Sequence, residues 1–371
     1  MSGFDRRLVT HANWSLLGFT CILFLIGAIN LYSASGERLE DGIRVAAFFN
    51  KQILWGFIGL CCLIVCTLFD YRHLRPLALP LFILSIILLA LVPLVGIKVN
   101  NAQRWLSLGF FNLQPSEVAK MSTLLMTSTL LSRYRGPLDW PKLFKVVAVS
   151  LLPCALIFAQ PDLGTALLLL MLVGGIVLYY GVKLYVLKVC FTVLPLLLPL
   201  SWFILKDYQK ERVLTFLDPS RDPQGAGYHI TNSKIAIGSG EVWGKGFQEG
   251  AHHLLRFLPE KHTDFALAVF SEEWGFLGSI LLLAFFCCFL ICIANTAKEA
   301  KDQFGSTLCA GIFFYFFWQI LINIGMVLGV MPVVGVPLPF ISYGGTATIV
   351  NCIMLGLVIN VSMRRFMFKT G

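Results

Sequence analysis

Charge is scarce in this chain. Asp, Glu, Lys and Arg make up 13% of its 371 residues and hydrophobic residues 57%, where soluble globular domains carry about 25% charged residues. An ordinary soluble enzyme is therefore excluded. Low-complexity tracts, internal repeats and heptad runs are missing too, which removes disordered, solenoid and coiled-coil readings. Period-2 alternation is absent, so a membrane β-barrel is disfavoured. The eleven cysteines, Cys21, Cys61, Cys62, Cys66, Cys154, Cys190, Cys287, Cys288, Cys292, Cys309 and Cys352, all lie inside apolar runs. None has metal or disulfide spacing, and they read as small packing side chains. His252-His253 and His262 lack the i, i+4 spacing of a helical zinc site, so no metal ligands are assigned. Glycines 238–246 lack the order of a Walker phosphate loop.

Apolar runs are what the chain has in abundance. Ten fall at 14–32, 53–69, 77–97, 115–131, 143–159, 163–181, 184–205, 265–294, 307–330 and 346–361. A bilayer core of about 30 Å takes roughly 20 apolar residues per helical crossing, and backbone in lipid must satisfy itself, which favours helices. The fold class expected is all-α: a polytopic integral membrane protein with ten transmembrane helices in a single domain, 1–371. Arg6 and Arg7 before the first run, and Ser33-Ala34-Ser35 after it, look like a signal peptide. The run is longer than a signal peptide's apolar region, and it is read as the first span.

The net charge of +9 is explained by topology. With the N-terminus inside, fifteen basic residues fall on inner segments and span ends: Arg6, Arg7, Arg72, Arg75, Arg133, Arg135, Lys142, Lys145, Lys183, Lys188, Lys298, Lys301, Arg364, Arg365 and Lys369. Five fall on short outer loops: Arg38, Arg44, Lys51, Lys98 and Arg104. The positive-inside rule then puts both termini in the cytoplasm. Nucleic-acid binding is not implied. One large extracytoplasmic loop, 206–264, joins helices 7 and 8 and holds eight basic residues, eight acidic residues and four of the six His. A polar insertion of this size is where chemistry is expected.

Ionisable groups at membrane depth cost roughly 2.5–3.5 kcal/mol even on the lenient insertion scale, so each needs a reason. Glu117 and Lys120 share a helix face at i, i+3, either as an ion pair that fixes packing or as a pair lining a polar cavity. Asp162 can cap the sixth span or meet a substrate or cation. Glu272 and Glu273 are too costly to face lipid and are expected to face protein or a wet cavity. The densest cluster is 257–265, with Glu260, Lys261, His262 and Asp264 where the chain re-enters apolar surroundings. It reads as either a solvated rim or a site. Burial there raises an Asp pKa and Lys261 or His262 lowers it, so the sign stays open. Glycine groupings at 225–228, 238–246 and 335–345 suit plain turns or irregular backbone lining a cavity.

Seven ordered blocks resemble the SEDS family of shape, elongation, division and sporulation proteins: QPSEVAK at 114–120, AQPDLGTA at 159–166, DYQKERVLTFLDP at 207–219, GAGYHITNSKIAIGSG at 225–240, GKGF at 244–247, FLPEKHTDF at 257–265 and GVPLPFISYGGT at 335–346. The wording at 225–240 and 335–339 is similar to the elongation (RodA) branch. The resemblance implies a ten-span peptidoglycan glycosyltransferase of the bacterial cytoplasmic membrane that polymerises lipid II on the outer face. It puts the general base on Asp264, and implies undecaprenyl diphosphate as leaving group. Arg104, Lys120, Arg212 or Lys234, or a divalent cation such as Mg2+ or Mn2+, would stabilise the departing charge. Glu117, Asp162, Glu260, Lys261, His262 and Ser342 complete the expected substrate-binding set. The implied partners are a class B penicillin-binding transpeptidase and other elongation-complex membrane proteins. A lipid II flippase and a non-catalytic scaffold are the competing readings.

Overall fold

The computed structural model describes residues 10–35, 39–40, 43–44, 47–99, 102–107, 109, 111–204, 207–222, 225–250 and 262–365. Among the described residues, twelve α-helices carry the fold. They are α1 Trp14–Ser35, α2 Ala47–Leu68, α3 Leu74–Val95, α4 Pro115–Leu131, α5 Trp140–Ala159, α6 Leu163–Tyr180, α7 Leu184–Ile204, α8 Asp207–Leu217, α9 Ala226–Ser239, α10 Ala266–Glu299, α11 Gln303–Val327 and α12 Gly345–Arg364. Eight of them, α1, α2, α3, α5, α6, α10, α11 and α12, are long and apolar enough to cross a membrane. The other two expected spans are also helices. One, α4, has only 17 residues and carries a buried ion pair; the other, α7, has 21 residues and is apolar along its length. The helices α8 and α9 fall inside the large loop.

The helix starts are written in the sequence. Pro115 occupies the first turn of α4. Asp139, Asp162 and Asp302 each accept a backbone N–H at the start of α5, α6 and α11, satisfying a donor that has no partner within the helix. In the bundle, α12 and α11 are the most buried spans, while α2, α3 and α10 keep much of their surface exposed. Packed along α2, α12 brings Gly356 so close that an added Cβ would press on Cys66 and Leu63. Small residues at such seams let helix backbones approach. Cys66 and Cys352 thus act as compact packing groups, as expected for thiols in apolar runs.

All-α describes the bundle, with a small β addition that the sequence reading passed over. Strands β1 Leu39–Glu40 and β2 Ile43–Arg44 pair antiparallel, and β3 Ile97–Val99, β4 Ala102–Ser107 and β5 Asn112–Leu113 form a three-stranded ribbon. The ribbon pairs loop backbone groups that would otherwise sit unsatisfied over the end of the bundle. Its middle strand, β4, carries Arg104.

Buried charges at the opposite end lock the bundle. Asn360 Nδ2 donates to the carbonyls of Cys66 and Phe69 at the end of α2, and Arg364 donates to Asn360 Oδ1 at 2.6 Å. Tyr71 donates its hydroxyl to Asp302.

Candidate active site

Asp264 lies in the turn 262–265 that leads into α10, and its side chain is half-buried. Three carbonyls of this stretch are tied to other elements. Tyr343 N–H donates to His262 O at 2.8 Å. Asn323 Nδ2, from α11, donates to Asp264 O at 3.0 Å, and Asn30 Nδ2, from α1, donates to Ala266 O at 2.9 Å. The His262 ring stacks on Phe48 of α2 with centroids 4.9 Å apart. Three elements and one loop therefore fix the backbone that carries the carboxylate.

The loop between α11 and α12 gathers the other candidates. Gly335 has φ +74, a conformation glycine adopts without strain. A Cβ there would sit 3.4 Å from Asp264 Oδ2. One residue earlier, Val334 presses on Gly164, two residues past Asp162. At the loop's start Lys234 of α9 lies across Gly329. Ser342 closes the loop on itself, its Oγ accepting from Leu338 N–H at 2.9 Å. Burial pushes the Tyr343 phenol up, so it stays neutral beside His262. The loop 328–344 is thus irregular backbone against which Asp264, Lys234 and the start of α6 are arranged.

Asp162 caps α6, accepting from Thr165 N–H at 3.3 Å and Thr165 Oγ1 at 2.9 Å, and it also faces Arg104 Nη1 at 3.8 Å. Arg104 additionally donates to the carbonyls of Gln160 and Pro161. This pairing holds the ribbon against the start of α6 and leaves part of the guanidinium open.

Glu117 and Lys120 lie deeper. Their ion pair is 2.7 Å long and both residues are 3% exposed. Tyr315 of α11 donates to Asn351 of α12 at 2.8 Å and to Glu117 Oε2 at 3.3 Å, and Lys120 Nζ sits 5.2 Å from the Tyr315 ring centroid. Tyr315 and Asn323 are eight residues apart on α11, about 12 Å along a helix axis. One helix therefore holds the turn of Asp264 near one end and the buried ion pair about two turns further in.

Glu272 and Glu273 are buried, as their cost in lipid requires, and they mark a break in α10. Gly275 has φ +65 and ψ −162 in mid-helix. Residues 241–246 fill the gap. Lys245 N–H and Gly246 N–H donate to the carbonyls of Glu272 and Glu273, while Phe276 N–H and Leu277 N–H donate to the carbonyls of Glu241 and Val242. Lys245 Nζ meets Glu272 Oε1 at 2.8 Å, and Glu273 accepts from Ser33 and from Gln248 N–H. Four main-chain groups at the break are thus taken up by protein, as irregular backbone at membrane depth requires.

Arg212 is half-buried on α8. Glu260 and Lys261 lie outside the described residues, as do His252 and His253. Among the described residues no group of three or more His, Cys, Asp or Glu could hold a metal ion. Asn30, Asn323, Tyr315 and Asn351 went unnoticed in the sequence. Their signal was there, since a carboxamide or phenol inside an apolar run needs a partner as a charge does.

A family model described as cell cycle protein, FtsW/RodA/SpoVE, matches residues 13–366. The peptidoglycan glycosyltransferase MrdB of Escherichia coli K12 is 38% identical over 97% of this chain and 95% of its own length. A chain from a solved peptidoglycan synthase complex, described as coordinating polymerization and crosslinking, superposes with a TM-score of 0.82 at 32% identity over 96% of this chain and 98% of that one. The rod shape determining protein RodA of Thermus thermophilus superposes with a TM-score of 0.71 at 27% identity, over 96% of this chain and 98% of its own.

Proposed function

The chain belongs to the FtsW/RodA/SpoVE family of cell cycle proteins, and from that membership we infer that it is a peptidoglycan glycosyltransferase polymerising lipid II into β-1,4-linked glycan strands. The observation that carries the mechanism is the half-buried Asp264, its turn tied to α1, α11 and the loop before α12, with Gly335 near enough that an added Cβ would touch its carboxylate. A carboxylate fixed this way is built to take a proton in one geometry.

Asp264 acts as general base. As the 4-hydroxyl oxygen of the acceptor sugar forms its bond to C1 of the donor, the hydroxyl proton passes to Asp264. The C1–oxygen bond to undecaprenyl diphosphate breaks on the opposite face, and the diphosphate leaves with that electron pair. An α-linked donor giving a β bond requires one inversion, so a single base suffices. General-base help of this kind is worth roughly 10²–10⁴-fold.

The leaving diphosphate needs cations positioned in a water-poor site. Lys234, which lies across Gly329 at the start of the 328–344 loop, Arg104, held at the start of α6, and the buried Lys120 are the candidates. Asp162 sets Arg104. Glu117 sets Lys120. His262 and Ser342 shape the rim.

The protein is integral to the membrane, and its charge asymmetry supports cytoplasmic termini with Asp264 on the outer face. Similarity to a chain of a peptidoglycan synthase complex supports a class B penicillin-binding transpeptidase as partner, alongside other elongation-complex membrane proteins.

The test is turnover of labelled lipid II by detergent-purified protein, with and without the transpeptidase. The native chain is expected to yield polymer without any membrane gradient. Asp264→Asn is expected to fold and to lose at least about 10²-fold in rate; polymer at the native rate would remove the base assignment.

A further inference from the structure

The carbonyl of Asp264 is not used by the helix that follows it. Ala268 N–H donates to Phe265 O at 3.0 Å, which leaves Asp264 O to Asn323. The same Asn323 amide donates its second N–H to Val336 O at 2.8 Å. A carboxamide nitrogen has two N–H donors, and here they join the residue that bears the carboxylate to the residue after Gly335, where an added Cβ would come to 3.4 Å from that carboxylate. Asn323 is completely buried, and its Oδ1 makes no hydrogen bond among the described residues. The amide therefore faces the two carbonyls at the expense of its own acceptor, and that orientation is the one in which it works as a strut.

We propose that Asn323 is a positioning residue for the transfer reaction, a two-armed amide strut that sets the distance between the Asp264 carboxylate and the Gly335–Val336 backbone. The inference rests on Asp264 as the base. The strut is anchored on α11, a long and largely buried helix, so both arms refer to one stiff frame. Removing it leaves two buried carbonyls without a donor, and each backbone segment then relaxes independently. A displacement of about 1 Å in a reacting group can cost on the order of 10²-fold in rate, so small relaxation is enough to be seen. Asn30 holds the carbonyl of Ala266, the first residue of α10, and keeps the helix start in place when Asn323 is replaced.

The experiment uses the full-length protein in detergent with labelled lipid II. Asn323→Leu keeps the side chain's branched shape and abolishes both donors. Asn323→Ser keeps one short donor that cannot span both carbonyls. For each variant the expected result is native insertion and a kcat lower by about 10²-fold, with KM within about twofold of native, because the strut touches the base's backbone and not the substrate. A purely structural residue would lower the thermal midpoint and leave kcat of the folded fraction intact. Native kcat in either folded variant overturns the proposal. So does a raised KM with native kcat, and so does failure of both variants to fold. Asp264→Asn, run alongside, separates the two readings: if it retains native activity the base assignment falls, whereas if it is inactive and Asn323→Leu is fully active only the strut falls.

Discussion

The buried Glu117–Lys120 ion pair allows stability and the proposed chemistry to be tested apart. Removing one partner of a buried pair leaves an uncompensated charge and costs about 3–5 kcal/mol. Glu117→Gln should therefore lower the thermal midpoint of the purified protein markedly. Replacing both residues by Met removes the uncompensated charge, and the double variant should unfold near the native temperature. Its lipid II turnover should stay low if Lys120 meets the diphosphate. Native turnover in the double variant would return the pair to a packing role. Gly335 offers the matching test at the base: Gly335→Ala forces a Cβ into a positive-φ residue within reach of Asp264 Oδ2, and kcat is expected to fall with little change in membrane insertion. At Asp218, in the large loop, the Ser220 hydroxyl, with Ser220 N–H and Arg221, holds the carboxyl below the usual range. Its contribution to the 218–222 turn is complete above the ordinary carboxylate pKa and is lost as pH falls through the lowered value. The protection factor of the amides in that turn, the exchange rate divided out for its intrinsic pH dependence, should fall on strong acidification and stay constant from mildly acidic to neutral pH. At this scale the sequence was informative wherever a charge sat in an apolar run, because burying it has a known cost. Asp162 and the Glu117–Lys120 pair were found that way. Asn323 and Asn30 carry no charge and were passed over, although burying an unbonded amide is also costly.

Among the elements, α10 departs furthest from what its residues suggest. Read along the chain, 265–294 is one continuous apolar span, and Gly244, Gly246 and Gly275 look like ordinary turn or helix glycines. The break becomes visible only when two segments about 30 residues apart in sequence are brought together, since the main-chain groups freed at 272–277 are taken up by 241–246. No local pattern encodes such a pairing. The glycines are required by contact: a Cβ on Gly275 would collide with Gly244 N, and one on Gly244 with Glu273 O. Gly275→Ala should release the 241–246 segment, and limited proteolysis between α9 and α10 should then cut faster than in the native protein. Equal cutting rates would mean that the segment docks without this fit. The ends of the other spans were more legible. Asp, Pro and Gly sit where helices start and stop, and the differences of a few residues arise because helices continue past the apolar run into polar flanks, as α2 and α10 do.

For the molecule as a whole, bilayer thickness and backbone satisfaction made the fold class readable from composition, and the blocks at 114–120, 159–166 and 335–346 made the family readable from wording. The packing order was not. That α12 and α11 lie deepest while α3 and α10 stay at the margin depends on small-residue seams whose partners lie far away in sequence. Orientation was read from charge counts, and reporter fusions at both ends should be active only in the cytoplasm. Activity of an extracytoplasmic reporter at either end would reverse the assignment.

The plugged gap in α10 also bears on biogenesis. The ribosome releases residues 241–246 before α10, so with the orientation proposed here the plug is exported first and waits outside for the span it must complete. During that interval α10 enters the bilayer with the carbonyls of Glu272 and Glu273 and the N–H groups of Phe276 and Leu277 unsealed. Its insertion is therefore finished from the far side by a segment that has already crossed.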